Sequence, residues 1–307
     1  MNFWKALFGG KETDAEVEKK QEQEKDFDVL KFDGVRALRS GEVAYAVRCF
    51  THALDIKDDL ETRDYLSQAY IRNDELLPAY EQLQKLAEAQ PENEEIFLRM
   101  AQVAYMMEDY GALTDACERA LLINKDDPKA LLLYARGCVG QGDEANAIAM
   151  LTKCISLTDG VSADNSHAQA LADEARLLRG QTLLKMGDQR EAAEDADLLL
   201  QRMPATEDVL LLEARIATAQ EDREKALQYY NKVVEANPFC VEAFRERSEV
   251  RRSLGDIAGA EEDLRAVLEL DPHATQEDED TDGNASGTDI QRKVEQAYRN
   301  NNPFGLG

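Results

Sequence analysis

Tryptophan and histidine are scarce in this sequence, with one and three respectively in 307 residues, and no apolar run approaches the ~20 residues of a membrane span. The opening MNFWKALFGG comes nearest, and it is too short for a span or for the hydrophobic region of a signal peptide. Five cysteines, an odd number without a C-x-x-C pair, exclude a disulfide framework and read as reduced thiols of a cytoplasmic protein. His52, His167 and His273 are far apart and lack metal-ligand spacing. Cys49 and His52 are three apart, but no third group is there to orient a nucleophile. Gly10-Lys11 runs into Glu12 without an upstream glycine, so a phosphate-cradling loop is missing too. No catalytic centre, metal or cofactor is therefore expected.

Positive charge is the other shortage. Lys and Arg number 36 against 62 Asp and Glu, a net charge of −26. Phosphate backbones are bound by basic stripes, and none offsets this balance, so nucleic acid is excluded as a partner. Anionic membrane surfaces are disfavoured for the same reason.

What the chain does have is a repeat. Small residues recur at Gly34, Ser67, Ala101, Ala135, Gly180, Ala214 and Ser248, each followed twelve residues later by Ala46, Ala79, Leu113, Ala147, Ala192, Ala226 and Ala260. The second column steps by 33, 34, 34, 45, 34 and 34 residues, so one unit occurs seven times with a single interruption. From it the sequence continues to apolar residues four and seven places on, as in Ala46, Phe50, Ala53 and Ala226, Tyr230, Val233. That spacing is one face of an α-helix. Gly41, Gly142, Gly187 and Gly255, each five places ahead of the second column, mark a turn between two helices. Pro91, Pro204, Pro238 and Pro272 end the second helix, since proline cannot extend the ladder.

A 34-residue helix-turn-helix with small, Gly, Ala-x3-Phe/Tyr and Pro positions resembles the tetratricopeptide repeat. The resemblance covers 27–272 and implies an all-α fold: a right-handed α-solenoid of seven helix-turn-helix units starting near 27, 60, 94, 128, 173, 207 and 241, with an insertion over about 162–172. The insertion is expected to lengthen the first helix of the fifth unit, capped near Asn165 or Ser166. The chain departs from the family pattern at the leucine before the small residue, which is charged in Asp33, Arg179, Glu213 and Arg247.

Outside the repeats, 1–26 reads as an apolar stripe (Phe3, Trp4, Leu7, Phe8) followed by a charged linker or helix. Residues 273–289 are an acidic, disordered linker, and 290–307 form an amphipathic C-terminal helix and tail with Ile290, Val294, Ala297 and Tyr298 on one face.

In the family that these residues resemble, the first helix of each unit lines a concave groove, and the residue after the small column points into it. Here that column includes Gln68, Gln102, Arg136, Gln181 and Arg215, donors suited to the carbonyls of a peptide. Tyr105 and Leu184 stand three places further on; Leu98, Leu132, Leu177 and Leu211 stand four places before. Together these eleven residues form the expected partner-binding groove, apolar-walled with a ladder of donors. Family members that hold chaperone C-terminal carboxylates use lysine and asparagine on these columns. The donor column has no asparagine, and Lys31, Lys129 and Arg245 are scattered, so that ligand is not expected. The expected function is a non-catalytic, cytoplasmic protein-interaction scaffold or adaptor that binds a peptide or helical segment. The alternatives are a peripheral membrane assembly factor anchored by the N-terminal stripe, and self-association through the C-terminal tail.

Overall fold

A computed structural model describes residues 14–159, 166–203 and 206–272. Among them are fourteen α-helices and no strand: α1 (Asp14–Ser40), α2 (Val43–Ile56), α3 (Leu60–Arg72), α4 (Leu76–Ala89), α5 (Glu94–Met106), α6 (Tyr110–Ile123), α7 (Pro128–Gln141), α8 (Glu144–Thr158), α9 (Ser166–Met186), α10 (Gln189–Arg202), α11 (Glu207–Ala219), α12 (Arg223–Ala236), α13 (Val241–Ser253) and α14 (Ile257–Leu270). They pair in chain order into seven hairpins, the all-α repeat fold that the periodicity implies. The chain divides into two compact units, Met1–Asp195 and Ala196–Gly307. The N-terminal apolar stripe and the C-terminal linker and tail lie outside the described residues.

Each hairpin is closed by the same two columns. Ala46, Ala79, Leu113, Ala147, Ala192 and Ala226 are fully buried and Ala260 nearly so, because the two helix backbones meet there. Opposite them the small column admits the approach: a methyl added at Gly34 would stand 2.6 Å from the Phe50 ring. Within the first unit α2 packs on α3, α4 on α5, α6 on α7 and α8 on α9; within the second, α12 packs on α13. First helices also touch one another, α5 with α7 and α7 with α9. No single core is needed, since every hairpin buries its apolar face on its neighbours.

The turns are more uniform than the glycines suggest. Gly41, Asp74, Glu108, Gly142, Gly187, Glu221 and Gly255 all have positive φ, between 57° and 88°. The next residue's N–H donates to the carbonyl five places back in every hairpin, from Glu42 to Ala37 (2.9 Å) through Asp256 to Arg251 (2.9 Å). This is the Schellman closure, which satisfies a carbonyl that the ending helix leaves open. In five hairpins the same residue, Asp109, Asp143, Asp188, Asp222 or Asp256, also caps the next helix with its carboxylate. Glu42 and Glu75 occupy that place without a capping bond.

Three of the four charged departures from the leucine column pair across the hairpin, while Asp33 pairs with Arg36 on its own helix. Arg179 donates to both oxygens of Asp195 at 2.8 and 2.7 Å. Arg247 does the same to Asp263 at 3.0 and 2.5 Å. Glu213, 2 % exposed, faces Lys225 at 3.6 Å. At the interrupted position α9 takes in 166–172 and is 21 residues long, against 13 for α11 and α13.

Candidate peptide-binding surface

In the first unit the donor-column stripes of α5, α7 and α9 are joined by side chains. The Arg136 guanidinium lies over the Tyr105 ring, 5.0 Å from its centre, and forms an ion pair with Glu174. One arginine on α7 thus ties an aromatic on α5 to a carboxylate on α9. A similar link joins α3 to α5: Asp64 accepts from Gln68 at 2.8 Å and pairs with Arg99 at 2.5 Å. Tyr105 stays 41 % exposed, Gln102 and Gln181 are exposed, and Gln68, Arg136, Leu177 and Leu184 are half-buried.

Three of the expected wall residues are packing residues. Leu98, Leu132 and Leu211 are buried, at 8, 4 and 7 % exposure, inside hydrophobic clusters that run from their own hairpins into adjacent ones. Their area is taken up by packing between adjacent helices, so these leucines do not form an open apolar wall. The two arginines are likewise already engaged. In the second unit Arg215 donates to both oxygens of Glu246 at 3.0 Å through Nε, to Glu246 again at 2.7 Å and to Glu242 at 2.7 Å. These bonds hold its guanidinium charged well above its ordinary range. Glu246 also accepts from the Tyr230 hydroxyl at 3.0 Å. Lys31, on α1, is tied to Asp59 (2.9 Å) and Glu61 (2.7 Å).

The sequence reading counted donors and overlooked their acceptors. Six places before the small column stand Asp28, Glu61, Glu95, Lys129, Glu174, Asp208 and Glu242, acidic in all but one unit. In α3, α5, α11 and α13 the acid is the second residue of the helix, where the helix dipole favours a carboxylate, whereas Asp28 and Glu174 lie in the middle of the longer α1 and α9. Three of its members, Glu61, Glu174 and Glu242, receive a cation from the preceding first helix. The missed signal is therefore a visible periodic acid.

A cleft of about 640 Å³ opens where the starts of α5 and α7 come together, lined by Pro91, Glu92, Glu94, Glu95, Leu98, Asp127 and Lys129 among others. Burial pushes the Glu94 carboxyl up, as does the neighbouring Asp127, and Glu94 Oε1 has no hydrogen-bond partner among the described residues. The thiols are the reverse of reactive. Burial pushes Cys117 up to about 12 and Cys138 and Cys154 to about 11.

Comparison with known proteins agrees with this geometry. The model of the family described as tetratricopeptide repeat matches residues 207–240, which span α11, α12 and the loop after them. No curated protein matches the chain by sequence. Among solved structures, a tetratricopeptide repeat protein from Parabacteroides merdae ATCC 43184 superposes with a TM-score of 0.64 at 13% identity, covering 80% of this chain and 94% of that one. PilW, described as a widely conserved type IV pilus biogenesis factor, gives 0.60 at 17% identity over 70% and 94% of the two chains. Pseudomonas aeruginosa pilF gives 0.54 at 18% over 75% and 99%. At such identities the likeness speaks for the fold alone. With seven hairpins of one design and a shared turn geometry, the described residues have the fold of a tetratricopeptide-repeat array, and the sixth hairpin matches the repeat's family model itself.

Proposed function

We propose that the chain is a non-catalytic protein-interaction scaffold that holds a peptide or helical segment on the first-helix row of the unit Met1–Asp195. The observation that carries this reading is the line Tyr105–Arg136–Glu174, which crosses three successive first helices and keeps an aromatic ring 41 % exposed, with exposed Gln102 on the same helix and exposed Gln181 on α9. A half-exposed tyrosine held rigid by a stacked cation is a low-entropy contact, the type that dominates protein interfaces. Leu177 and Leu184, half-buried on α9, add apolar area, and the acidic cleft by Leu98 suits a ligand that carries a lysine or arginine. Among the described residues no helix is long and apolar enough to cross a membrane. A reducing, cytoplasmic setting fits four buried free cysteines.

The test is affinity capture with the wild type and a Tyr105→Ala/Gln102→Ala variant of unchanged helicity. A ligand of this surface should bind the variant at least tenfold more weakly, the loss typical of an interface tyrosine. Equal recovery of every partner by both proteins removes the assignment.

A further inference from the structure

The first helix is twice as long as its hairpin needs. α1 has 27 residues, against 13 in each of α3, α5, α11 and α13. Its buried side chains begin at Phe27, 4 % exposed, whereas residues 17–26 are exposed without exception. Consecutive residues over nearly three turns occupy every side of a helix, so no part of the described array packs on this stretch. Val17 is its one apolar residue among VEKKQEQEKD. A helix that is polar all round and still formed serves to bridge to something beyond its end. From Asp14 to Phe27 this overhang measures ~20 Å.

What lies beyond, outside the described residues, is MNFWKALFGG. At helical spacing Phe3, Trp4, Leu7 and Phe8 share one side and Lys5 takes the other. Residues 1–11 contain Lys5 and Lys11 and no acid, in a chain of net charge −26. The stripe is badly placed to cover its own hairpin. The apolar side chains left open on α1 are Val29, 59 % exposed, and Phe32, 67 % exposed, which stand ~22 and ~27 Å along the helix from Asp14. Residues 9–13 extend by at most ~3.6 Å each and must first reverse direction, so Leu7 and Phe8 would come to rest beside the polar overhang, short of Val29. A second copy of so acidic a chain is repelled. Tryptophan, phenylalanine and leucine opposite a lysine suit the plane of a bilayer surface, which takes up apolar area without a fitted pocket.

We propose that residues 3–8 insert into the surface of a lipid bilayer and that the overhang of α1 stands as a spacer between the membrane and the repeats. Apolar insertion carries the attachment: Phe3, Trp4, Leu7 and Phe8 enter the acyl boundary while Lys5 stays among the headgroups. The acidic array is repelled by anionic lipid, but the ~20 Å spacer exceeds the ~8 Å over which charge is felt at physiological salt. The array therefore does not oppose the contact. This attachment is separate from the Tyr105 surface and stands or falls without it.

Trp4 is the one tryptophan of the chain, so its fluorescence reports on this segment alone. When phosphatidylcholine vesicles are added to the full chain, the emission should move to shorter wavelength and the protein should float with the vesicles in a density gradient. Phe3→Glu/Phe8→Glu should weaken that binding at least tenfold. Both positions lie outside α1–α14, so misfolding of the repeats cannot imitate the loss. Unchanged emission without flotation overturns the proposal. So does emission already at short wavelength before vesicles are added: independent of concentration, it seats the stripe on its own chain, and growing with concentration, on a second copy. Flotation that survives the double substitution intact places the lipid contact elsewhere and overturns it as well.

Discussion

Glu221, at φ 60°, holds a left-handed backbone conformation that a side chain with a Cβ adopts only at a cost. Four of the seven turns meet this demand with glycine, and those four were legible in the sequence as Gly41, Gly142, Gly187 and Gly255. The turns at Glu108 and Glu221 were not, because glutamate carries no turn signature, and Asp74, which tolerates the conformation, stands where four other units carry glycine. Glu221→Gly should therefore stabilise the protein by about 1 kcal/mol, read as a raised denaturation midpoint in urea. Glu213 is a second strained residue. Its carboxyl is pushed up by burial first and by Asp197 nearby, which Lys225 only partly offsets, and its Oε1 has no hydrogen-bond partner among the described residues. A carboxyl raised above its unfolded value of roughly 4.3 contributes stability that is fully present below that value and is lost as pH rises through the folded one. Glu213→Gln should then be more stable than the wild type at pH 7, with the gap in melting temperature closing as the pH is lowered toward 4.5.

At the scale of the helix pair, the sequence showed where helices start and stop because apolar spacing and proline are local signals. Pro91, Pro238 and Pro272 stand two residues past the ends of α4, α12 and α14. The charged residues on the leucine column were legible as departures but not as pairs, since Asp195 and Asp263 lie sixteen residues from Arg179 and Arg247 and nothing local links them. Buried at 2 % exposure, Asp263 neutralises an arginine that is itself 8 % exposed and also donates to Asn231 at 2.9 Å. Removing one partner leaves the other charged and desolvated. Asp263→Ala should cost roughly 3–5 kcal/mol in chemical denaturation, whereas Arg247→Leu/Asp263→Leu should recover most of it.

Across the molecule, repeat number and hairpin order could be read from two columns, whereas the binding surface could be read only in part. The rule that the donor column faces outward gave Gln102 and Gln181 their exposure. It could not show that Arg136 and Arg215 already hold Glu174 and Glu246, because those contacts join helices 31 to 38 residues apart. Nor could it separate Leu177, half-buried, from Leu132, buried, when both occupy the same place in the unit. The buried pairs of the last three hairpins bear on how such a chain reaches its native pairing at all. The first helix contributes a cation in α9, an anion in α11 and a cation in α13, and the second helix answers with the opposite sign each time. A mistaken partnership of α11 with α14, or of α13 with α12, would enclose two like charges away from water. The pair α11–α12 is thereby kept from trading mates with the hairpins before and after it.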